Sequence, residues 1–221
     1  MDKWVLRGNR NLLGVPVSRP DAEMVWMRSI HLFVMLSLDG YFEGPNHDLS
    51  WHNVDDEFNK YAIEQLKETG LILFGRRTYQ LMEDFWPKAA VDPETSPDDR
   101  EVARLMNNTE KIVFSRTLED VRETENWKNV KLRRKFDPAE IRRLKEMPGK
   151  DIWVGTSDLA VSFIKESLID EFRFMVNPVI VGGGTRIFQG LDQRLDLELT
   201  KTRRFQSGNM LVYYRPPLKT S

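Results

Sequence analysis

Residues 71–79 read Leu71-Ile72-Leu73-Phe74-Gly75-Arg76-Arg77-Thr78-Tyr79, four apolar residues running into a glycine, two arginines and a hydroxyl. A short apolar run closed by turn residues predicts a strand covered on both faces, here Leu71–Phe74. Gly75-Arg76-Arg77-Thr78 then turns into a short helix through Met82. The same grammar recurs twice downstream. Lys111–Phe114 is a strand that ends at Ser115-Arg116-Thr117, and Asp151–Val154 is a strand that ends at Gly155-Thr156-Ser157. Upstream, Asp55–Thr69 places Phe58, Ala62, Ile63 and Leu66 on one side, the pattern of an amphipathic helix. Gly70 is expected to stop it as the residue after the C-cap.

Working outward, Ile30–Leu38 is a nearly continuous apolar run ended by Asp39-Gly40, with a loop at Gly44-Pro45-Asn46. Residues 87–99 carry three prolines and four acids and predict a surface excursion before a helix over Asp99–Asn107. Val130–Leu132 is a short strand. Asp137, Pro138 and Glu140 stand at the N-cap, N1 and N3 of a further helix, and Asp158–Glu166 is another. The pattern then changes: Glu171–Val181 is strand-like, Gly182-Gly183-Gly184 is a loop, and Leu195–Phe205 and Met210–Arg215 form a hairpin about Gln206–Asn209. The expected fold class is α/β, a mixed and mostly parallel sheet flanked by helices, with a C-terminal antiparallel hairpin at one edge. Residues 1–26 read as an irregular extension, and 27–217 as one domain.

Composition narrows the chemistry. The 221 residues carry 33 Lys plus Arg against 34 Asp plus Glu, which argues against a nucleic-acid binder living on phosphate contacts. Cysteine is absent, so disulfides, thiolate metal sites and cysteine nucleophiles are excluded. Three histidines (His31, His47 and His52) leave little for a metal site, and none is expected. No apolar stretch approaches the roughly 20 residues of a membrane helix. The N-terminus lacks a cleavage site, so the cytoplasm is the expected location.

Ligands of open α/β sheets bind beyond the carboxyl ends of the strands, where helix N-termini offer free N–H groups to phosphates. One turn of small residues, hydroxyls and arginines is an ordinary capped turn; three together favour a ligand with several phosphates, such as a dinucleotide. No Gly-x-x-x-x-Gly-Lys-Ser/Thr loop is present, and Gly182-Gly183-Gly184 lacks the spaced third glycine of a Rossmann fingerprint.

With these turns in place, the chain resembles the dihydrofolate-reductase-like superfamily. Within it, the resemblance is to the branch named for the reductase (C-terminal) domain of the bifunctional riboflavin-biosynthesis deaminase-reductase. The residues that carry it are Ser37-Leu38-Asp39-Gly40-Tyr41, Leu49-Ser50-Trp51, Leu73–Tyr79, Phe85-Trp86-Pro87, Val113–Thr117 and Val181–Thr185. No zinc-deaminase signature accompanies them, as in stand-alone members. The resemblance implies NADPH, hydride transfer to a small pyrimidine- or pteridine-like substrate in the manner of 5-amino-6-(5-phosphoribosylamino)uracil reductase, and a homodimer.

It also implies roles by position. Gly75, Arg76 and Thr78 would hold cofactor phosphate. Ser115 and Arg116 would meet the 2′-phosphate with Arg77 sharing that work, while Gly155, Thr156 and Ser157 would lie beneath the pyrophosphate and Gly183 would touch ligand. Asp39 would stand where nicotinamide and substrate meet, Asp56 is the acid whose spacing suits proton donation, and Trp51 and Trp86 would wall the substrate. A dihydrofolate reductase proper, and a non-catalytic nucleotide-binding protein on the same fold, remain open alternatives.

Overall fold

The first strand, β1 (Ile30–Leu36), is buried throughout except at Phe33, as a strand covered on both faces must be. This computed structural model describes residues 27–155 and 157–217. Successive β1 side chains alternate between two cores. Ile30, Leu32, Val34 and Leu36 enter one, and Phe33 and Met35 the other. After β2 (Tyr41–Glu43) and α1 (Asp56–Glu68), strand β3 (Thr69–Gly75) repeats the alternation. Its Leu71 and Leu73 join the first core, while Ile72 and Phe74 pack with Leu66, Tyr79, Val102 and Trp127.

The chain continues through α2 (Arg76–Ala89), α3 (Pro97–Asn108), β4 (Glu110–Phe114), β5 (Val130–Arg133), α4 (Pro138–Glu146), β6 (Asp151–Val154) and α5 (Ser157–Lys165). It closes with β7 (Glu171–Val176), β8 (Thr185–Arg186), β9 (Glu198–Arg204) and β10 (Met210–Arg215). Eight strands form one sheet in the order β5-β4-β3-β6-β1-β7-β10-β9. The first six are parallel, and β10 runs antiparallel to both β7 and β9. Helices α1 to α3 supply the core on one face, and α4 and α5 supply the other through Ile141, Leu159, Ala160, Phe163 and Ile164.

The mixed, mostly parallel sheet with a C-terminal hairpin is as expected, and β6 has the expected bounds. Asp137 caps α4 by accepting from the Ala139 N–H at 2.9 Å, but Glu140 turns to Arg133. Other expectations need correction. β1 ends at Leu36 because Ser37 and Gly40 close a turn, with Gly40 at φ +82°. Gly70 does not stop α1. Thr69 does, its N–H bonding the Leu66 carbonyl and its hydroxyl the Gln65 carbonyl, while Gly70 is already in β3. Gly70 is needed for space instead, since a Cβ there would lie 3.0 Å from that of Lys150.

Helix α2 runs past Met82 to Ala89 with Pro87 inside it. Pro87 falls in the last turn, where a lost N–H bond is cheapest. No helix follows β4 directly; Ser115 Oγ instead accepts from the N–H groups of Thr117 and Leu118. β7 stops at Val176, where Asn177 Nδ2 bonds back to the carbonyls of Leu36 and Met175 and Pro178 follows. The hairpin's first strand opens at Glu198 rather than Leu195. The pair β2–β8 is an addition that short irregular segments did not announce.

Candidate active site

Parallel strands present all their carboxyl ends along one edge of a sheet, and the order β4-β3-β6-β1-β7 makes five such ends neighbours. Gly75 pairs with Phe114, which puts Ser115 beside the Gly75 turn, and the Gly155 N–H bonds the Leu73 carbonyl. The three turns read from sequence are therefore adjacent. Helix α2 opens on Gly75 with no side chain capping its free N–H groups, and α5 opens at Ser157. Thr156 lies outside the described residues.

The arginines differ in employment. Arg76 and Arg116 are exposed and make no hydrogen bond or ion pair among the described residues. Arg77 is engaged: its guanidinium contacts His47 Nδ1 and lies 3.4 Å from Glu43 Oε2. Gly155 is explained by packing, because a Cβ would come within 3.2 Å of the Phe74 ring and 3.4 Å of Trp153. A Cβ at Gly183 would meet only Pro45, at 3.6 Å.

The second half of the edge lies beyond β1 and β7. Asp39 accepts from the Ser37 hydroxyl at 2.7 Å and from the N–H groups of Val181 at 3.1 Å and Gly182 at 2.8 Å. The Ser37 bond, joined by those two N–H groups, outweighs burial and holds the carboxyl at a pKa of about 2. Asp39 is thus a fixed anion that pins the glycine-rich loop, not a proton donor at neutral pH. Arg186 covers the Tyr41 ring at 4.2 Å and donates to the Asp39 carbonyl.

The N-terminus of α1 is brought to this same end by Asn53. Its N–H bonds Asn177 Oδ1, and its amide bonds the Ser207 carbonyl at the hairpin turn. Of the three acids there, Asp55 caps the helix by accepting from Phe58 N, and Glu57 accepts from Gln206 N. Asp56 is exposed and has no partner among the described residues. Trp51 is half-buried in the preceding loop, its indole donating to the Asp48 carbonyl and its ring edge-on to His52 at 4.4 Å. His52 reaches the Phe42 carbonyl at 3.3 Å, and burial, the larger effect, lowers its pKa.

Trp86 is not part of this edge. It stands ten residues into α2, about 15 Å from the helix start. There its indole faces Met82 and its carbonyl meets the Asn107 amide just before β4, at the opposite end of the sheet. Sequence reading also missed Glu43, Asn53, Asn177 and Arg186. Their partners lie in distant loops, so no local spacing signals them.

A parallel-sheet α/β protein with its candidate site along the carboxyl edge is the class that fold and geometry define. Residues 28–211 match the RibD C-terminal domain family, and the chain belongs to it. It is 34% identical over 188 residues to the uncharacterized protein YyaP of Bacillus subtilis (strain 168), spanning 85% of this chain and 94% of that one. The crystal structure of a putative riboflavin biosynthesis protein from Shewanella sp. PV-4 superposes with a TM-score of 0.65 at 22% identity, covering 86% of this chain and 99% of that chain. The dihydrofolate reductase of Enterococcus faecalis, in complex with NADP(H) and RAB-propyl, superposes with a TM-score of 0.53 at 15% identity, covering 85% of this chain and 96% of that chain. The fold is dihydrofolate-reductase-like. Among the described residues no helix is long and apolar enough to cross a membrane.

Proposed function

We propose that this chain is an NADPH-dependent reductase that transfers hydride to a small pyrimidine- or pteridine-like heterocycle, in the manner of 5-amino-6-(5-phosphoribosylamino)uracil reductase, acting as a homodimer in the cytoplasm. One observation carries the reading: the turns after β3, β4 and β6 are neighbours on one edge, and two arginines unpaired among the described residues, Arg76 and Arg116, stand on them. The residues present fit a pyridine dinucleotide. The uncapped start of α2 offers N–H groups to a phosphate, and Arg116 supplies a forked cation beside Ser115 for a 2′-phosphate. When bound, the nicotinamide supplies the hydride.

The protein's own work is placement. Asp39 holds loop 181–182 against the end of β1, and Asn53 holds the start of α1 against the end of β7. Trp51 and His52, packed edge to face in the loop before α1, would wall the substrate. Asp56, exposed at the head of α1 without a partner, is the carboxyl available for proton exchange with the substrate.

Two measurements test the reading. Millimolar NADPH should raise the Tm by several degrees, and an unchanged Tm would refute nucleotide binding. Arg116→Ala should weaken NADPH about tenfold or more while leaving NADH nearly unaffected; equal losses would remove Arg116 from the 2′-phosphate. Turnover of dihydrofolate with NADPH would move the assignment to dihydrofolate reductase proper, and tight NADPH binding without oxidation across pteridines and pyrimidines would favour a non-catalytic binder.

A further inference from the structure

Glu43 is a buried acid that no step above employs. It ends β2, is 6% exposed, and serves three separate segments. Its Oε1 accepts from the Thr185 hydroxyl at 2.7 Å and lies 2.9 Å from His47 Nδ1, while its Oε2 faces Arg77 Nη2 at 3.4 Å. Burial opposes its charge, but the bonds from Thr185 and His47 and the charge of Arg77 outweigh burial and lower its pKa. His47 Nδ1 sits between Glu43 and Arg77, so it donates to the carboxylate when protonated and accepts from the guanidinium when not.

The backbone is shaped around the same point. Asn46 and His47 both hold left-handed conformations, at φ 56° and 63°, uncommon outside glycine though tolerated best by residues such as these. Opposite them, Gly184 at φ +122° approaches so closely that a Cβ would lie 2.0 Å from the Glu43 carbonyl oxygen. Side-chain bonds and backbone thus independently converge on Glu43, drawing together the loop after β2, the start of α2 and β8 with the glycine-rich loop that precedes it.

We propose that Glu43 is a positioning residue for the nucleotide turn: its carboxylate binds Arg77 as a strut between Gly75–Thr78 and the loop at Thr185, leaving Arg76 and Arg116 as the phosphate ligands. This rests on the nucleotide reading above and corrects it at Arg77, which supports the site without meeting the 2′-phosphate. The discriminating property is indifference to that phosphate. A strut, once broken, weakens NADPH and NADH alike, whereas a phosphate ligand discriminates between them.

The test is a double-mutant cycle on the full chain with Glu43→Gln, Arg77→Met and both together, reading Kd for NADPH and for NADH. The expected result is about a tenfold loss for each single variant, with the NADPH/NADH ratio unchanged and no further loss in the double variant. Selective loss of NADPH affinity in Arg77→Met, or additive losses, would overturn the proposal. Hydrogen exchange of the nucleotide-free protein separates this from failure of the reductase reading. Glu43→Gln and Thr185→Val should each speed exchange in residues 44–48, 75–78 and 181–186 while the β1 and β6 amides keep their rates. Unchanged exchange in those loops would overturn the strut even if NADPH binds, and faster exchange would uphold the strut even if no nucleotide binds.

Discussion

At the scale of single residues, His31 is the clearest liability in the core. It is fully buried in β1 with both ring nitrogens unpaired, between Trp153 of β6 and Glu171 of β7, with Arg173 of β7 nearby. Burial first, then the Arg173 charge, hold its pKa well below 6.5. The unfolded chain therefore takes up a proton near pH 6.5 that the folded chain refuses, so stability is intact above that pH and declines below it. Between pH 7 and pH 5 the Tm should fall, and it should fall less in His31→Leu; identical slopes in thermal melts would clear His31 of the effect. Asp39 acts with the same sign in a lower window, since its folded pKa also lies below the ordinary 3.8 and stability declines as pH falls below that ordinary value. With a folded pKa of about 2 it remains ionised until far lower pH, and its hold on loop 181–182 is lost only as pH falls through that value.

At the scale of elements, Lys111 shows how a charge can close secondary structure. Its ammonium is buried at the start of β4, donates to the carbonyls of Asn107, Thr109 and Lys128, and covers the Trp127 ring at 4.4 Å. Those carbonyls belong to the end of α3, the link to β4 and the approach to β5. Lys111→Met removes this donor from all three, leaving the Asn107 carbonyl with only the Lys128 N–H, and should cost about 3 kcal/mol in denaturant unfolding; a loss below about 1 kcal/mol would show that they find other donors. Nothing in the run Glu110–Phe114 distinguishes this lysine from a solvated one.

The elements that were legible share one property, burial imposed by a local apolar pattern: β6 was readable to its ends, and β3 and β4 nearly so. The misjudged elements are those whose ends are set by remote partners. Helix α2 outlasts Met82 because Tyr79, Met82 and Trp86 pack on the sheet, and β7 ends early because Asn177 is claimed by Leu36 and Met175. The candidate site divides in the same way. The turns at Gly75, Ser115 and Gly155 announce themselves by composition, whereas Glu43 and Asn53 matter through partners on other segments, such as Arg77 and Thr185 for Glu43 and Asn177 for Asn53.

At the scale of the whole molecule, the sheet order decides both where a ligand can lie and how the chain must assemble. Five neighbouring carboxyl ends give one continuous edge long enough for a nucleotide at β4-β3-β6 and a second reactant at β1 and β7. That order also places the earliest strand at the centre. β1 pairs with β6 at Ile152 and with β7 at Glu171, so β1 has no neighbour in the sheet until more than a hundred further residues have been synthesised. In pulse-labelled refolding, the amides of Ile30–Leu36 should gain protection together with those of β7 and not ahead of β3 and β4; early protection of β1 would refute this order. A growing chain thus holds an apolar strand with both hydrogen-bonding edges open throughout that interval, available to any other unfinished copy that meets it.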